Sequence, residues 1–232
     1  MTTDVLSYTL DQKVAVIRMD DGKANALSVE MIDGLLAALT RAEEEASAVV
    51  LTGRADRFCA GFDLRVMMSG PEQAKALLGR GSELLLRLFG ATLPLVIAAS
   101  GHALAGGALV VLTGDTRIGA QGAFKIGLNE VAIGLPVPVL AMEFARARLT
   151  PTELTRATLM AQIYTPETAV TAGYLDSIVP ADQLLDRAKE EATRLAGLAR
   201  SAFKATKLRL RGGVIADIKA RMVEDMRTLM NP

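Results

Sequence analysis

Short apolar runs typical of strands alternate along this chain with longer segments whose apolar residues recur at helical spacing. The runs VAVIRM, AVVLTG, LVIAAS and TRIGA are rich in β-branched and small apolar residues, which favours buried strands. Helices are expected between and after them, over Ala74–Phe89, Gly106–Leu112 and Pro136–Leu149. Strands that alternate with helices predict an α/β fold.

The chain shows no internal repeat and no low-complexity linker. Its 232 residues, half of them hydrophobic, are enough for one sizeable packed domain. Segments rich in Ala, Leu, Lys and Arg finish the chain and are expected to be helical. We therefore predict a core over residues 1–180 and a C-terminal helical region over residues 181–232, available for assembly.

Composition excludes several classes of function. Twenty-six basic and 26 acidic residues cancel, which gives no support for nucleic acid or an anionic membrane as the main partner. The single cysteine, Cys59, and the single histidine, His102, leave no ligand set for zinc and make a Ser-His-Asp triad a poor candidate. No signal-peptide pattern or bilayer-length apolar run is found, so a soluble cytoplasmic protein without metal or cofactor is expected.

Two small-residue segments follow predicted strands. RFCAGFDL comes after AVVLTG, and a turn of this kind can leave backbone N–H groups unpaired and directed into a cavity. GHALAGGALVVLTGD comes after LVIAAS, and its Gly106 and Gly107 permit close backbone approach at the start of a helix whose free N–H groups suit an anion. Taken alone, the first segment is better explained as a plain tight turn, and the second is compatible with close helix–strand packing.

A third segment, FKIGLNEVAIG, places the carboxylate of Glu130 in apolar surroundings. Burial there would raise its pKa and suit it to proton transfer near neutral pH. A surface glutamate at the start of a helix is the alternative interpretation.

These three segments, in this order, resemble the signatures of the crotonase (enoyl-CoA hydratase/isomerase) superfamily. NALS, at Asn25–Ser28, is also similar, and the likeness extends to about Val179. The resemblance implies a spiral of stacked ββα turns, with C-terminal helices that build a homotrimer or a dimer of trimers. It also implies an acyl-CoA substrate, so that coenzyme A is part of the substrate and not a cofactor.

The resemblance further implies a set of site residues. The N–H groups of Ala60 and Gly106 would polarise the thioester carbonyl. Lys207 would meet the phosphates or adenine of a coenzyme A bound to a neighbouring subunit, and a solvated helix face is at least as good an interpretation of that lysine. The residues expected to line the acyl-CoA site are Ala60, Gly61, Phe62, Asp63, Leu64, Gly106 and Gly107. We expect Asp63 and Asp115 to be structural, and His102 to have a packing role.

Hydratases of this superfamily use two glutamates, and Leu109 occupies the position of one of them. Leucine cannot hold or activate a water, whereas Glu130 matches the second. A single base resembles the Δ3,Δ2-enoyl-CoA isomerase branch, because no water is added in that reaction. The resulting hypothesis is isomerisation of 3-enoyl-CoA to 2-enoyl-CoA through a dienolate; a hydratase-like enzyme of another specificity and a non-catalytic acyl-CoA binding protein remain the alternatives.

Overall fold

The chain folds into two sheets with helices packed around them. The computed structural model describes residues 5–230. The strands, in chain order, are β1 (Leu6–Asp11), β2 (Val14–Met19), β3 (Ala48–Thr52), β4 (Asp56–Cys59), β5 (Leu95–Ala99), β6 (Gly101–Leu104), β7 (Thr116–Ala120), β8 (Ile126–Gly127) and β9 (Ser177–Val179). The α-helices are α1 (Val29–Glu45), α2 (Leu64–Met67), α3 (Pro71–Phe89), α4 (Gly106–Thr113), α5 (Val139–Arg148), α6 (Pro151–Thr158), α7 (Pro166–Ala172), α8 (Leu184–Ala196) and α9 (Arg200–Met230). Two short 3₁₀ turns lie at Val131–Ile133 and Ala181–Gln183.

The larger sheet has six strands in the order β1-β2-β3-β5-β7-β9, and the smaller has three in the order β4-β6-β8. Strand β1 is antiparallel to β2, and every other pairing is parallel. The pairs β3–β4, β5–β6 and β7–β8 each contribute their first strand to the larger sheet and their second to the smaller, and a helix or 3₁₀ turn follows each pair. This confirms the predicted α/β fold of stacked ββα turns.

Both faces of the larger sheet are covered, as is usual for parallel sheets. Strand β2 illustrates this, because Ala15 and Ile17 face the main core whereas Val14 and Val16 face α8. Helix α8 covers that second face with Leu184, Ala188, Ala192 and Leu195. The C-terminal helical region therefore supplies one wall of the sheet. Its use in assembly stays a prediction.

Local signals explain where several helices begin. Ser28 caps α1, and its side chain accepts a hydrogen bond from the N–H of Met31 at 3.2 Å. Thr165 caps α7 in a reciprocal capping box with Thr168, which lies at the third position of the helix. Helix α3 begins three residues before the predicted Ala74, because Pro71 occupies its first turn.

Two strands of the smaller sheet, β4 and β6, were missed in the sequence. RADRFCAGFDL was expected to be a loop and GHAL a turn, but they contain β4 and β6. These strands have four residues each and carry glycine and charged side chains, which hides their pattern. Gly101 is required where they pair, because a Cβ there would lie 2.1 Å from the carbonyl carbon of Asp56. No helix in the described part of the chain is long and apolar enough to cross a membrane.

Candidate active site

The three segments singled out in the sequence meet at one edge of the smaller sheet. Ala60–Asp63 follows β4, Ala105–Gly107 follows β6, and Leu128–Glu130 follows β8. Because these strands are parallel neighbours, their carboxyl ends lie side by side, with β6 in the middle. Ligands of parallel sheets bind at that end of the strands. The Gly106 turn therefore lies between the Phe62 turn and Glu130.

The prediction that the N–H of Ala60 is a free donor is wrong. Its N–H donates to the carbonyl oxygen of Ala24 at 3.1 Å and is not available to a ligand. Two residues later, Phe62 forms a parallel bridge with Leu27, in which the N–H of Leu27 donates to Gly61 and the N–H of Asp63 donates to Leu27. This pattern turns the N–H of Phe62 away from Leu27, and no acceptor for it is found among the described residues. Phe62 replaces Ala60 as the free donor.

The second predicted donor, Gly106, remains a candidate for donating its backbone N–H to a ligand. It is the first residue of α4, so its N–H has no partner within the helix, and the described residues offer none outside it. Ala105 before it has φ 48° and ψ −120°, a conformation that non-glycine residues rarely adopt. Such strain is found where surrounding structure fixes a functional backbone.

The two donor turns pack directly against each other. Gly61 has φ +97°, and a Cβ there would lie 3.3 Å from the nitrogen of Gly106. Two neighbouring unpaired N–H groups at a helix N-terminus can bind an oxygen that develops negative charge. Gly107 packs directly against Cys59, because a Cβ there would lie 2.0 Å from the carbonyl oxygen of Cys59. Its place in the lining of the site stays a prediction.

Glu130 is buried at this edge, with 8% of its surface exposed. Its Oε2 atom is buried without a hydrogen-bond partner among the described residues, as is Oδ1 of Asn129. Burial raises the pKa of Glu130 above its ordinary value, and a hydrogen bond with its own backbone N–H opposes the shift. Unpaired buried carboxylates are costly and rare outside functional sites.

Tyr174, which the sequence did not single out, is fully buried. Burial is the largest cause that raises its pKa, and the nearby Tyr164 and the charge of Glu130 raise it further.

Among the described residues that the sequence analysis singled out, Glu130 alone has an unpaired carboxylate. Leu109 is 4% exposed and packs in the main core from α4. Asp63 caps α2 by accepting from the N–H of Arg65 at 2.9 Å and pairs with its guanidinium at 3.1 Å. These contacts hold the pKa of Asp63 below its usual range, despite an opposing effect of burial. Asp63 is therefore structural, as expected.

The NALS segment fixes the Phe62 turn from the other side. Asn25 is fully buried with φ 53°, and its amide donates to the carbonyl oxygens of Met19, Arg57 and Phe58 at 2.9–3.2 Å. Asp21 accepts from three backbone N–H groups of the same loop, those of Lys23, Asn25 and Ala26. This loop thereby presents Ala24 and Leu27 to the turn after β4.

An open cleft of about 690 Å³ lies between that loop and α2. Its lining includes Ala24, Ala26 and Asp63, so it adjoins the Phe62 turn. The cleft carries two exposed cations, Lys23 and Arg65, and three carboxylates, of Asp21, Glu30 and Asp63. Leu64, also predicted to line the site, begins α2 and is 67% exposed. Two further clefts, one between the β1–β2 turn and α8 and one between α3 and α9, contain none of the predicted site residues.

Lys207 fits neither of the two roles expected for it, contact with coenzyme A or a place on a solvated helix face. Its side chain is 6% exposed and its Nζ lies 2.7 Å from Asp115 Oδ2, so it neither faces solvent nor presents its charge to a phosphate. Burial lowers its pKa to about 8, although Asp115 opposes the shift. Asp115 also pairs with Arg211 at 2.8 Å and accepts from the N–H of Leu95, which confirms a structural role.

Cys59 and His102 take no part in the arrangement. Burial raises the pKa of the Cys59 thiol to about 12, so the thiolate that nucleophilic chemistry needs does not form near neutral pH. His102 packs edge-on against Phe124 and accepts at Nδ1 from the N–H of Lys125, in agreement with the expected packing role.

No group of three or more potential metal-binding side chains occurs in the described part of the chain. Independence from metals and cofactors stays a prediction.

Stacked ββα turns, with two unpaired backbone donors and one unpaired buried carboxylate among the described residues at the ends of a small parallel sheet, define a protein of the crotonase class. The chain matches the enoyl-CoA hydratase/isomerase family over residues 9–230 and belongs to that family.

Similar proteins carry both isomerase and hydratase names. The chain is 29% identical to human mitochondrial enoyl-CoA delta isomerase 1 over 94% of its own length and 74% of that protein. The match to the rat isomerase spans 63% of the rat protein. Other curated relatives are named as hydratases, among them 2,3-dehydroadipyl-CoA hydratase of Escherichia coli.

Solved structures agree with the fold. An enoyl-CoA hydratase/isomerase family protein from Pseudomonas syringae is 38% identical, with a TM-score of 0.95 over 97% of this chain and 98% of that one. An enoyl-CoA isomerase from Mycobacterium tuberculosis is 39% identical, with a TM-score of 0.90 over 97% of both chains.

Proposed function

We propose that this protein isomerises 3-enoyl-CoA to 2-enoyl-CoA, with Glu130 as the only acid–base group. The observation that carries the proposal is that Glu130, on the loop after the strand next to the Gly106 turn, has the one unpaired buried carboxylate among the described residues. The buried Leu109 fills the position at which a hydratase needs its second glutamate. A single base is sufficient when a proton is only moved along the acyl chain.

The reaction uses three groups of this chain. The Glu130 carboxylate removes a proton from C2 of the acyl group, and the electron pair delocalises over C2–C4 and the thioester oxygen. The N–H groups of Phe62 and Gly106 donate to that oxygen and stabilise its charge. The protonated Glu130 then returns the proton to C4, which leaves the double bond between C2 and C3.

Coenzyme A is assigned to the cleft beside α2. The cleft adjoins the Phe62 turn, and the exposed Lys23 on its lining supplies a positive charge for the phosphates, whereas the charge of Arg65 is paired with Asp63. This replaces Lys207, whose charge is neutralised inside the protein by Asp115.

The proposal includes assembly into a homotrimer or a dimer of trimers. Leu208, Leu210 and Val223 on α9 are 68%, 73% and 83% exposed, and so much apolar surface on one helix favours contact with another subunit. Light scattering that gives a monomer at all concentrations would contradict this part.

Turnover of two substrates tests the reaction. The wild type is expected to isomerise a 3-enoyl-CoA far faster than it hydrates the matching 2-enoyl-CoA. Fast hydration would favour the hydratase alternative and imply that another group positions the water. Tight acyl-CoA binding with neither reaction would favour a non-catalytic binding protein.

A further inference from the structure

The ring of Phe62 is wedged between two glycines. A Cβ built on Gly106 would lie 3.2 Å from Cδ2 and Cε2 of this ring, so that edge rests on the second donor residue. A Cβ built on Gly81, in α3, would lie 2.1 Å from Cε1 and 2.6 Å from Cζ, the opposite edge. The side chain of one donor residue therefore packs on the other donor residue, and the space that it occupies exists only because position 81 has no side chain.

Neighbouring residues restrict the Phe62 ring on the side of the site, although the side chain is only partly buried. Leu27 Cδ1 would also lie 3.2 Å from a Cβ on Gly106, and Leu27 is fully buried and bridged to Phe62 through the backbone. Gly81 is itself buried in α3, among residues of the main core such as Leu77, Leu84 and Leu85. A methyl group on Gly81 would have to displace the ring by more than about 1 Å to reach ordinary van der Waals contact. The displaced ring would press on Gly106.

We infer that Gly81 is a positioning residue for the thioester site: it leaves room for the Phe62 ring and thereby keeps the N–H groups of Phe62 and Gly106 at the spacing that the thioester oxygen requires. The inference rests on the proposed function, in which these two groups bind that oxygen. Gly81 does not touch the substrate. Its effect reaches the site through one aromatic ring.

The same helix offers a matched control. Gly79 lies two residues away in α3, and a Cβ there would meet no atom within 4 Å. Gly79→Ala and Gly81→Ala make the same chemical change in the same helix, but only the second pushes on Phe62. Phe62→Leu removes the two atoms nearest Gly81, Cε1 and Cζ, and serves as a rescue in the Gly81→Ala background.

The experiment measures kcat for 3-enoyl-CoA and, separately, the absorption of bound 2,4-dienoyl-CoA, which moves to longer wavelength when donors polarise its carbonyl. Gly81→Ala is expected to lower kcat about 10- to 100-fold, the scale of a 1 Å misplacement, and to reduce the spectral shift, while dienoyl-CoA affinity stays within about threefold. Gly79→Ala should match the wild type. Added to Gly81→Ala, Phe62→Leu should raise both kcat and the spectral shift. In the wild-type background, the same substitution should raise neither.

Several results would overturn the inference. These are a Gly81→Ala protein with wild-type shift and kcat, an equal loss in Gly79→Ala, or a double variant no better than Gly81→Ala alone. If Gly81→Ala does not fold, the inference requires that the Gly81→Ala/Phe62→Leu double variant folds and shows the spectral shift. If neither variant folds, the result counts against the inference. A wild type that shifts dienoyl-CoA but turns over no substrate would contradict the proposed reaction and leave the spectral test of Gly81 intact. A wild type without any shift would overturn both.

Discussion

The backbone N–H of Ala60 donates to the carbonyl oxygen of Ala24 at 3.1 Å, which ties the loop before α1 to the end of β4. This bond determines which backbone group of the turn can serve a ligand. With Ala60 engaged, the free donor is the N–H of Phe62, two residues further along the chain.

Replacing single amides by esters separates these two roles. Phenyllactate at position 62 removes only the proposed donor and is expected to lower kcat about 10²- to 10³-fold, with the fold intact. Lactate at position 60 removes only the bond to Ala24 and is expected to cost about 1 kcal/mol of unfolding free energy, with kcat within a few-fold of the wild type. Steady-state kinetics and urea unfolding of both proteins provide the measurement. The reverse result would return the donor role to Ala60.

Glu130 is expected to make the protein less stable at neutral pH. Its pKa is raised in the folded state, so the folded protein holds the proton more tightly than the unfolded chain. The stability from this group is therefore fully present below the ordinary carboxyl pKa and is lost as pH rises through the raised value. Glu130→Gln cannot ionise and should have the higher unfolding free energy at pH 8, with a smaller difference at pH 4. Urea unfolding at the two pH values measures this, and a variant that is less stable at pH 8 would show that the carboxylate is satisfied.

The Asp115 network is expected to matter for stability and not for coenzyme A. Asp115→Asn leaves Lys207 and Arg211 as buried cations, 6% and 5% exposed, without their counter-charge. The expected cost is about 3–5 kcal/mol of unfolding free energy. Lys207→Met should cost less, because Arg211 still pairs with Asp115. Acyl-CoA affinity of a folded Lys207→Met protein should equal that of the wild type, and a clear loss of affinity would restore Lys207 to the binding site.

Much of the fold and two catalytic candidates could be predicted from local sequence. The larger sheet follows from β-branched runs such as Val14–Met19, and α1 from Ser28 and its apolar stripe. Gly106 and Glu130 could be recognised because each combines an unusual residue with its neighbours: a glycine pair at a helix start, and a carboxylate in an apolar segment.

Other features depend on contacts between distant segments. The free N–H of Phe62 is set by its register with Leu27, 35 positions earlier, and no local pattern encodes that pairing. The role of Gly81 is visible only once α3 is placed beside the turn after β4. Lys207 looked like a surface lysine in a basic run, because its partner Asp115 lies 92 positions away.

The central claim is that Glu130 alone moves the proton, and single-turnover isomerisation by Glu130→Gln, measured together with acyl-CoA affinity, tests it most directly. Glutamine keeps the size of the side chain but cannot exchange a proton, so turnover should fall about 10²- to 10⁴-fold while the dissociation constant stays nearly unchanged. In the wild type, the rate should also fall at low pH as Glu130 is protonated, at a pKa above that of an ordinary glutamate. Unchanged turnover in the Gln variant would contradict the account and remove Glu130 from the mechanism.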